Sequence, residues 1–200
     1  MRGTVPRART AIVLLSLLAA AVVLGGCDGS LSTGLSHALT GPPPASVVAG
    51  ASTASTALGT LRIAPDGPLT GYSRAEFGDG WARQADGCTS RVDALLRHGT
   101  DITRTGCKVT AGRWYSAYDG ITLTAASLAQ IDHLVPLAEA WRTGAAGWSP
   151  VRRVAFANDV DRELLPVSIH ANESKGDGAP PAWEPQVTDR CEYAQQWITI

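Results

Sequence analysis

Five polar residues in the C-terminal half of this chain could together perform hydrolytic chemistry: Asp132, His133, Asn158, Asn172 and Lys175. Carboxylate and amide oxygens are the ligands that hard divalent cations prefer, and an imidazole can accept a proton near neutral pH. A lysine ammonium can contact a phosphate. These side chains could therefore converge on a phosphate group.

Two strands and a helix are predicted around these residues. The stretch 130–135 alternates between polar and apolar residues and stops at Pro136, as a strand does. An apolar strand is predicted over 164–168, and a helix over 169–175 that Gly176 closes. The C-terminal half therefore has the order strand, long insert, strand, helix.

The predicted elements decide which of these side chains can meet. The helix puts Asn172 and Lys175, three residues apart, on one face. Successive side chains of a strand point to opposite sides, so Asp132 and His133 diverge unless the end of the strand bends. One edge could then hold a metal while the other faces water or substrate.

Shorter elements are predicted before and within this unit. They are a helix over 73–84, a helix from Thr89 or Ser90 to Gly99, a hairpin over 107–115 with its turn at Ala111-Gly112, and helices over 137–142 and 151–157. The sequence therefore predicts an α+β fold.

Several separated motifs resemble one known family, the exported HNH endonucleases related to the C-terminal domain of the GmrSD restriction enzymes. The motifs that carry this resemblance are 131–141, Arg153, 156–159, 167–168 and 172–177, with 86–91 and 112–114 upstream and 183–185 and 190–193 downstream. Their common order makes the resemblance specific, and it covers about residues 72–197.

The resemblance implies a ββα-metal core (HNH/His-Me finger), here with extra N-terminal helices and a hairpin. It assigns Asp132 and Asn172 as ligands of one divalent ion, Mg²⁺ or Mn²⁺, and His133 as the general base that activates water. Asn158 would hold the loop and the strand that carries His133. The implied activity is metal-dependent hydrolysis of phosphodiester bonds in nucleic acid.

The charge balance limits how such a protein could hold its substrate. Lys and Arg number 17 against 18 Asp and Glu, which excludes a polycationic coat for duplex DNA. Contacts to DNA or RNA must therefore be local. Candidate phosphate contacts are Lys175, Arg153 and Arg91. We expect a monomer.

The N-terminus has the pattern of an export signal. An uncharged apolar run over 11–24, too short to span a bilayer as a helix, follows three arginines. The run ends in Leu24-Gly25-Gly26-Cys27, which resembles a bacterial lipobox. Lipidation of Cys27 would anchor the protein to the cell envelope, whereas ordinary cleaved secretion and an uncleaved anchor are the alternatives.

The chain is expected to divide into three parts. Residues 1–27 form the signal peptide, and 28–59 are rich in Ser, Thr, Ala and Pro and form a disordered tether. Residues 60–200 form the endonuclease domain, whose C-terminus is apparently truncated because family members continue beyond the equivalent of Trp197.

Export permits disulfides. Cys88 and Cys107 close a loop of plausible size, and we predict a bond between them that stabilises by about 3 kcal/mol. Cys191 is then left over, with a missing partner, an intermolecular bond or a free thiol as alternatives.

Two other functions remain open at this point. One is a non-catalytic envelope lipoprotein with a relic ββα-metal site, and the other is a disulfide-stapled binding module in which Asp132 and Asn172 only make hydrogen bonds. A relic usually loses its His, Asp or Asn first, and this sequence keeps all three.

Overall fold

Two antiparallel sheets organise the structure, a computed structural model that describes residues 54–200. The first sheet has the order β1-β2-β3 and the second consists of β4 and β5. The strands are β1 (Thr100–Thr105), β2 (Lys108–Ser116), β3 (Ile121–Ala125), β4 (Ala129–His133) and β5 (Leu164–Ser168).

Besides a short helical stretch at 54–58, five helices accompany the sheets in the described part of the chain. They are α1 (Ser90–His98), α2 (Leu137–Arg142), α3 (Pro150–Ala157), α4 (Ile169–Lys175) and α5 (Arg190–Thr199), with shorter 3-10 helices at Arg74–Phe77, Ala145–Gly147 and Val187–Asp189. This mixed composition confirms the α+β prediction. Helix α5 and strands β1 and β3 were not predicted, and of the predicted helix over 73–84 only the short 3-10 helix Arg74–Phe77 forms.

The unit β4-β5-α4 follows closely from its sequence. The alternating residues of β4 pair with β5 in one continuous register, from Ala129 opposite Ser168 to His133 opposite Leu164. Ser168 ends β5 and caps α4, because its hydroxyl accepts a hydrogen bond from the backbone N–H of Ala171. The chain therefore turns directly from strand to helix, and α4 packs against both strands.

The predicted hairpin turn at Ala111-Gly112 is wrong. Strand β2 continues through these residues, although its register against β3 shifts between Ala111 and Trp114. The chain turns instead at Gly106, whose φ of 56° favours glycine. A Cβ on Gly112 would lie 2.7 Å from Ile102 Cδ1 and from the Trp114 ring. Gly112 therefore serves close packing within the sheet.

The core between α1 and the sheets is centred on Trp114, which is fully buried together with Ala94 and Leu164. The Trp114 indole N–H donates to the carbonyl of Leu95 over 2.8 Å, so the one polar atom of this ring is satisfied. A second cluster contains Phe77 and Trp141, beside the insert between β4 and β5.

The cysteines confirm one prediction and correct another. Cys88 and Cys107 are bonded, with their Cα atoms 5.4 Å apart. Cys191 is also disulfide-bonded, so the prediction that it is left over is wrong. Cys27 and the proposed signal peptide lie outside the described residues, and so does most of the predicted tether. Residues 54–58, at the end of that tether, are helical.

Candidate functional site

Asp132 lies on β4 and is held by two donors. Its Oδ2 accepts hydrogen bonds from Lys175 Nζ and from the Tyr118 hydroxyl, both over 2.7 Å. The Lys175 side chain is fully buried, and its ammonium also donates to the backbone carbonyl of His133 over 2.8 Å. Lys175 thus ties α4 to the end of β4 and neutralises the Asp132 carboxylate.

Burial dominates the electrostatics of this ion pair. It raises the pKa of the Asp132 carboxyl above its ordinary value, and the nearby Lys175 ammonium and Tyr118 hydroxyl offset part of that rise. Burial and the neighbouring Asp132 carboxylate also raise the pKa of Tyr118 well above its usual range, so its hydroxyl remains a donor.

Asn172 lies on α4 and contacts the same face of β4. Its side-chain amide donates to Gln130 Oε1, and Gln130 stands two residues before Asp132, so both point to one side of the strand. Asp132, Gln130 and Asn172 therefore contribute oxygens to one half-buried face between β4 and α4.

Carboxylate and amide oxygens such as these are the ligand types that a hard divalent cation takes. Mg²⁺ is usually held by one or two carboxylates, with water and substrate phosphate completing its coordination. Asp132 would supply the carboxylate, and Asn172 and Gln130 would supply amide oxygens. The described residues contain no cluster of three or more His, Cys, Asp or Glu side chains suited to a metal. Because Lys175 already neutralises Asp132, binding to this face alone would be weak.

His133 ends β4 and points away from that face. Its ring stacks on Trp81, with ring centroids 5.6 Å apart and an interplanar angle of 14°, and its Nε2 lies 3.0 Å from the carbonyl oxygen of Ala157. A carbonyl only accepts, so Nε2 carries the proton and the lone pair of the neutral ring is on Nδ1. Asp132 and His133 thus diverge, as strand alternation predicts.

The environment of His133 keeps its imidazole neutral. Burial, with smaller contributions from the positive charges of Arg74 and Lys175, lowers the pKa of His133 to about 4, although the contact with Ala157 opposes this. At neutral pH the ring is therefore in the form that can accept a proton.

His133 lines an open cavity of about 320 Å³. The other polar side chains that line it are Arg74, Asp79 and Trp81, and apolar walls come from Phe77, Leu137 and Ala157. The sequence analysis missed Arg74 and Trp81 as site residues. They lie some 50 to 60 positions before His133, and no local pattern marks them as its neighbours.

Asn158 has a positioning role, although its partners differ from those predicted. Its Oδ1 accepts from the backbone N–H of Ala82 and from the Ser90 hydroxyl, and its Nδ2 donates to the carbonyl of Val154. These bonds fix the end of α3 to the segment beside Trp81 and to the start of α1. They do not reach the strand that carries His133.

The three cations predicted to contact phosphate are all engaged by the protein. The buried Arg153 guanidinium donates to the Glu76 carboxylate over 2.8 Å and to the Trp148 carbonyl over 2.6 Å. Arg91 donates to the carbonyl of Ala129 over 2.9 Å, and Lys175 is buried as described above. In this arrangement their charged groups hold the fold together, and their contact with a substrate phosphate stays a prediction.

A buried carboxyl near the ion pair was also missed. Glu163 is fully buried, and its Oε2 accepts from the backbone N–H of Val135 over 3.3 Å while its Oε1 has no partner. Burial raises its pKa well above the usual value. Sequence gives no signal for this residue, because an acidic side chain before an apolar strand normally faces solvent.

The sequence of this chain is similar to that of a secreted protein. No family model matches the chain and no solved structure matches it. No helix within residues 54–200 has the length and apolar character that crossing a membrane requires. An uncharacterized secreted protein of Arthroderma benhamiae is 42% identical over 153 residues, which cover 75% of this chain and 74% of that relative. With this identity over most of both sequences, the chain belongs to the same family as that secreted protein.

Proposed function

We propose that this protein is an exported, metal-dependent HNH-type endonuclease that hydrolyses phosphodiester bonds in nucleic acid. The observation that carries the proposal is a neutral imidazole, His133, that lines an open cavity at the end of the strand that also carries Asp132. The antiparallel pair β4-β5 and the following helix α4 provide the strand, strand and helix order that the resemblance requires.

His133 would act as the general base. Its Nδ1 lone pair accepts a proton from the attacking water, while the Nε2 proton stays bonded to the Ala157 carbonyl. Stacking on Trp81 and this hydrogen bond hold the ring in one orientation, so no reorientation is needed at the moment of proton transfer. His133 as a whole is 7% exposed, and it is one of the residues that line the cavity.

Asp132, Asn172 and Gln130 would hold the divalent cation. Such an ion, when bound, supplies positive charge to the phosphoryl oxygens and to the leaving oxygen. Because Asp132 and His133 leave opposite faces of β4, a phosphate that meets both must lie beyond the end of that strand. The chain bends there, at Leu134 and Val135, so the substrate would cross the strand end rather than lie along it.

Export is supported by the secreted relative and by the disulfide between Cys88 and Cys107. Lipidation of Cys27 is a finer proposal, and it requires that Cys191 take its disulfide partner from another molecule, since Cys27 is the one other cysteine that the Cys88–Cys107 bond leaves in this sequence. Mass spectrometry of the mature protein from its natural host would detect a diacylglycerol-modified N-terminal Cys27. An unmodified N-terminus beyond residue 27 would instead mean ordinary secretion.

A plasmid cleavage assay tests the proposal. The purified protein is incubated with supercoiled plasmid in Mg²⁺, in Mn²⁺ and in EDTA, and nicked and linear products are quantified over time. We expect cleavage that requires a divalent ion. His133→Ala should slow cleavage by about 10²- to 10⁴-fold, the contribution of general base catalysis. His170→Ala, which changes an exposed histidine on α4, should cleave like the parent.

Asp132→Asn separates the metal role from the base role. The amide preserves an acceptor for Tyr118 and removes the anionic ligand, so this variant should need more metal and should recover partly in Mn²⁺. His133→Ala should not recover. If the folded parent cleaves neither DNA nor RNA with either metal, the non-catalytic alternative replaces the nuclease. If His133→Ala cleaves as fast as the parent, the base is misassigned.

A further inference from the structure

We propose that Arg74 binds a phosphate group of the nucleic-acid substrate in the cavity that His133 lines. This inference rests on the proposed function and adds to it the missing cationic contact. It also places one substrate phosphate on the His133 side of the strand end that the substrate would cross.

Arg74 differs from the other arginines near the site in the contacts that its guanidinium makes. The Arg74 side chain is exposed, and among the described hydrogen bonds and ion pairs none involves it. Arg91 and Arg153 instead bind backbone carbonyls or a carboxylate. A substrate phosphate could therefore bind the Arg74 guanidinium without breaking an existing contact.

Arg74 and His133 are close enough to act on one ligand. Both line the same cavity. A cavity of about 320 Å³ is at the small end of ligand sites, so it suits a single nucleotide unit better than a stacked base pair. Guanidinium is the side-chain group whose fork of donors matches phosphate oxygens.

The backbone that carries Arg74 is held firmly, as a binding residue requires. It begins the 3-10 helix Arg74–Phe77, whose Phe77 is 2% exposed. Glu76 of the same turn binds Arg153 of α3 through its carboxylate and its backbone carbonyl. The guanidinium can move, but the base of the side chain stays fixed relative to the insert beside His133.

The cavity also contains an acidic side chain, Asp79. Its negative charge opposes phosphate binding, so the cavity should have low affinity for small free anions. Arg74 should therefore contribute to binding of a polyanion that is also held elsewhere, rather than to tight capture of free phosphate. This consideration sets the probe for the test, which must be an oligonucleotide.

The test measures binding and turnover separately. A fluorescein-labelled 20-base-pair DNA duplex is titrated with the purified protein in EDTA, where cleavage is blocked, at several NaCl concentrations. Arg74→Gln should weaken binding about 10- to 100-fold, as expected for loss of a hydrogen bond to a charged group. It should also reduce the slope of log affinity against log salt by about one. Arg74→Lys should restore the salt slope and only part of the affinity.

Arg104→Gln is the matched control, because Arg104 is an exposed arginine on β1 that contacts only the Gly106 carbonyl among the hydrogen bonds described. It should bind and cleave like the parent. If Arg74→Gln keeps the parent's affinity and salt slope while the parent cleaves plasmid, the Arg74 proposal is overturned and the nuclease stands. If the parent binds duplex with the Arg74-dependent slope but never cleaves, the nuclease fails and the binding site stands.

Discussion

Acid should destabilise this protein through His133. The folded protein lowers the pKa of this imidazole from 6.5 to about 4, so between these values the unfolded chain binds a proton that the folded chain does not. Stability is then fully present above pH 6.5 and is lost as pH falls toward 4. The complete loss corresponds to about 3 kcal/mol at 1.36 kcal/mol per pKa unit. About 2 kcal/mol of it should appear between pH 7 and pH 5.

Urea denaturation at pH 7 and pH 5, followed by tryptophan fluorescence, measures this loss. His133→Gln is the informative variant, because its amide N–H can still donate to the Ala157 carbonyl but does not titrate. The variant should lose about 2 kcal/mol less than the parent over this interval. His98, whose pKa burial also lowers, contributes equally to both proteins, and exposed His170→Gln serves as the control. Identical pH dependence of the parent and His133→Gln would refute the burial argument.

Three further predictions concern the fold around the site. Replacing Cys88 and Cys107 by Ala should lower the free energy of unfolding by about 3 kcal/mol, since the bond closes a loop with a sequence separation of 19; equal urea midpoints would contradict this. Lys175→Met should cost about 3–5 kcal/mol by leaving the Asp132 carboxylate without its partner, and adding Asp132→Leu should recover part of that loss in the same titration. Glu163→Gln should stabilise more at pH 8 than at pH 5, because the buried carboxyl of the parent resists the ionisation that the unfolded chain undergoes; a gain that does not grow with pH would refute this.

Local patterns predicted the elements whose boundaries are set by neighbouring residues. Strand β5 and helix α4 have the predicted bounds, because an apolar run, the Ser168 cap and Gly176 lie close together in sequence. Helix α1 also forms where Thr89 and Gly99 frame it. Gly112 was wrongly predicted to lie in a turn. Its role depends on the side chains of Ile102 and Trp114 that pack against it, which the residues next to it in sequence do not reveal.

The candidate site was predictable only in part for the same reason. Strand alternation correctly implied that Asp132 and His133 diverge. That Lys175 neutralises Asp132 could not be read from the sequence, since it depends on how α4 packs against β4. Arg74 and Trp81 reach His133 only after the N-terminal segment folds over the insert, and a contact across so many residues leaves no periodicity to detect.

The hydrogen bonds of Asn158 have a consequence for the order of folding. They join residues separated by 76 and 68 positions, and the Glu76–Arg153 bond spans 77. Contacts between residues so far apart in sequence form only after a large loop of chain has closed, and loop closure costs conformational entropy. We therefore expect these contacts to form late and to slow folding. The wall of the His133 cavity therefore forms only once the chain beyond residue 158 is present. A chain that crosses a membrane unfolded would carry no assembled cavity until it had emerged, so any activity of this site would arise on the far side.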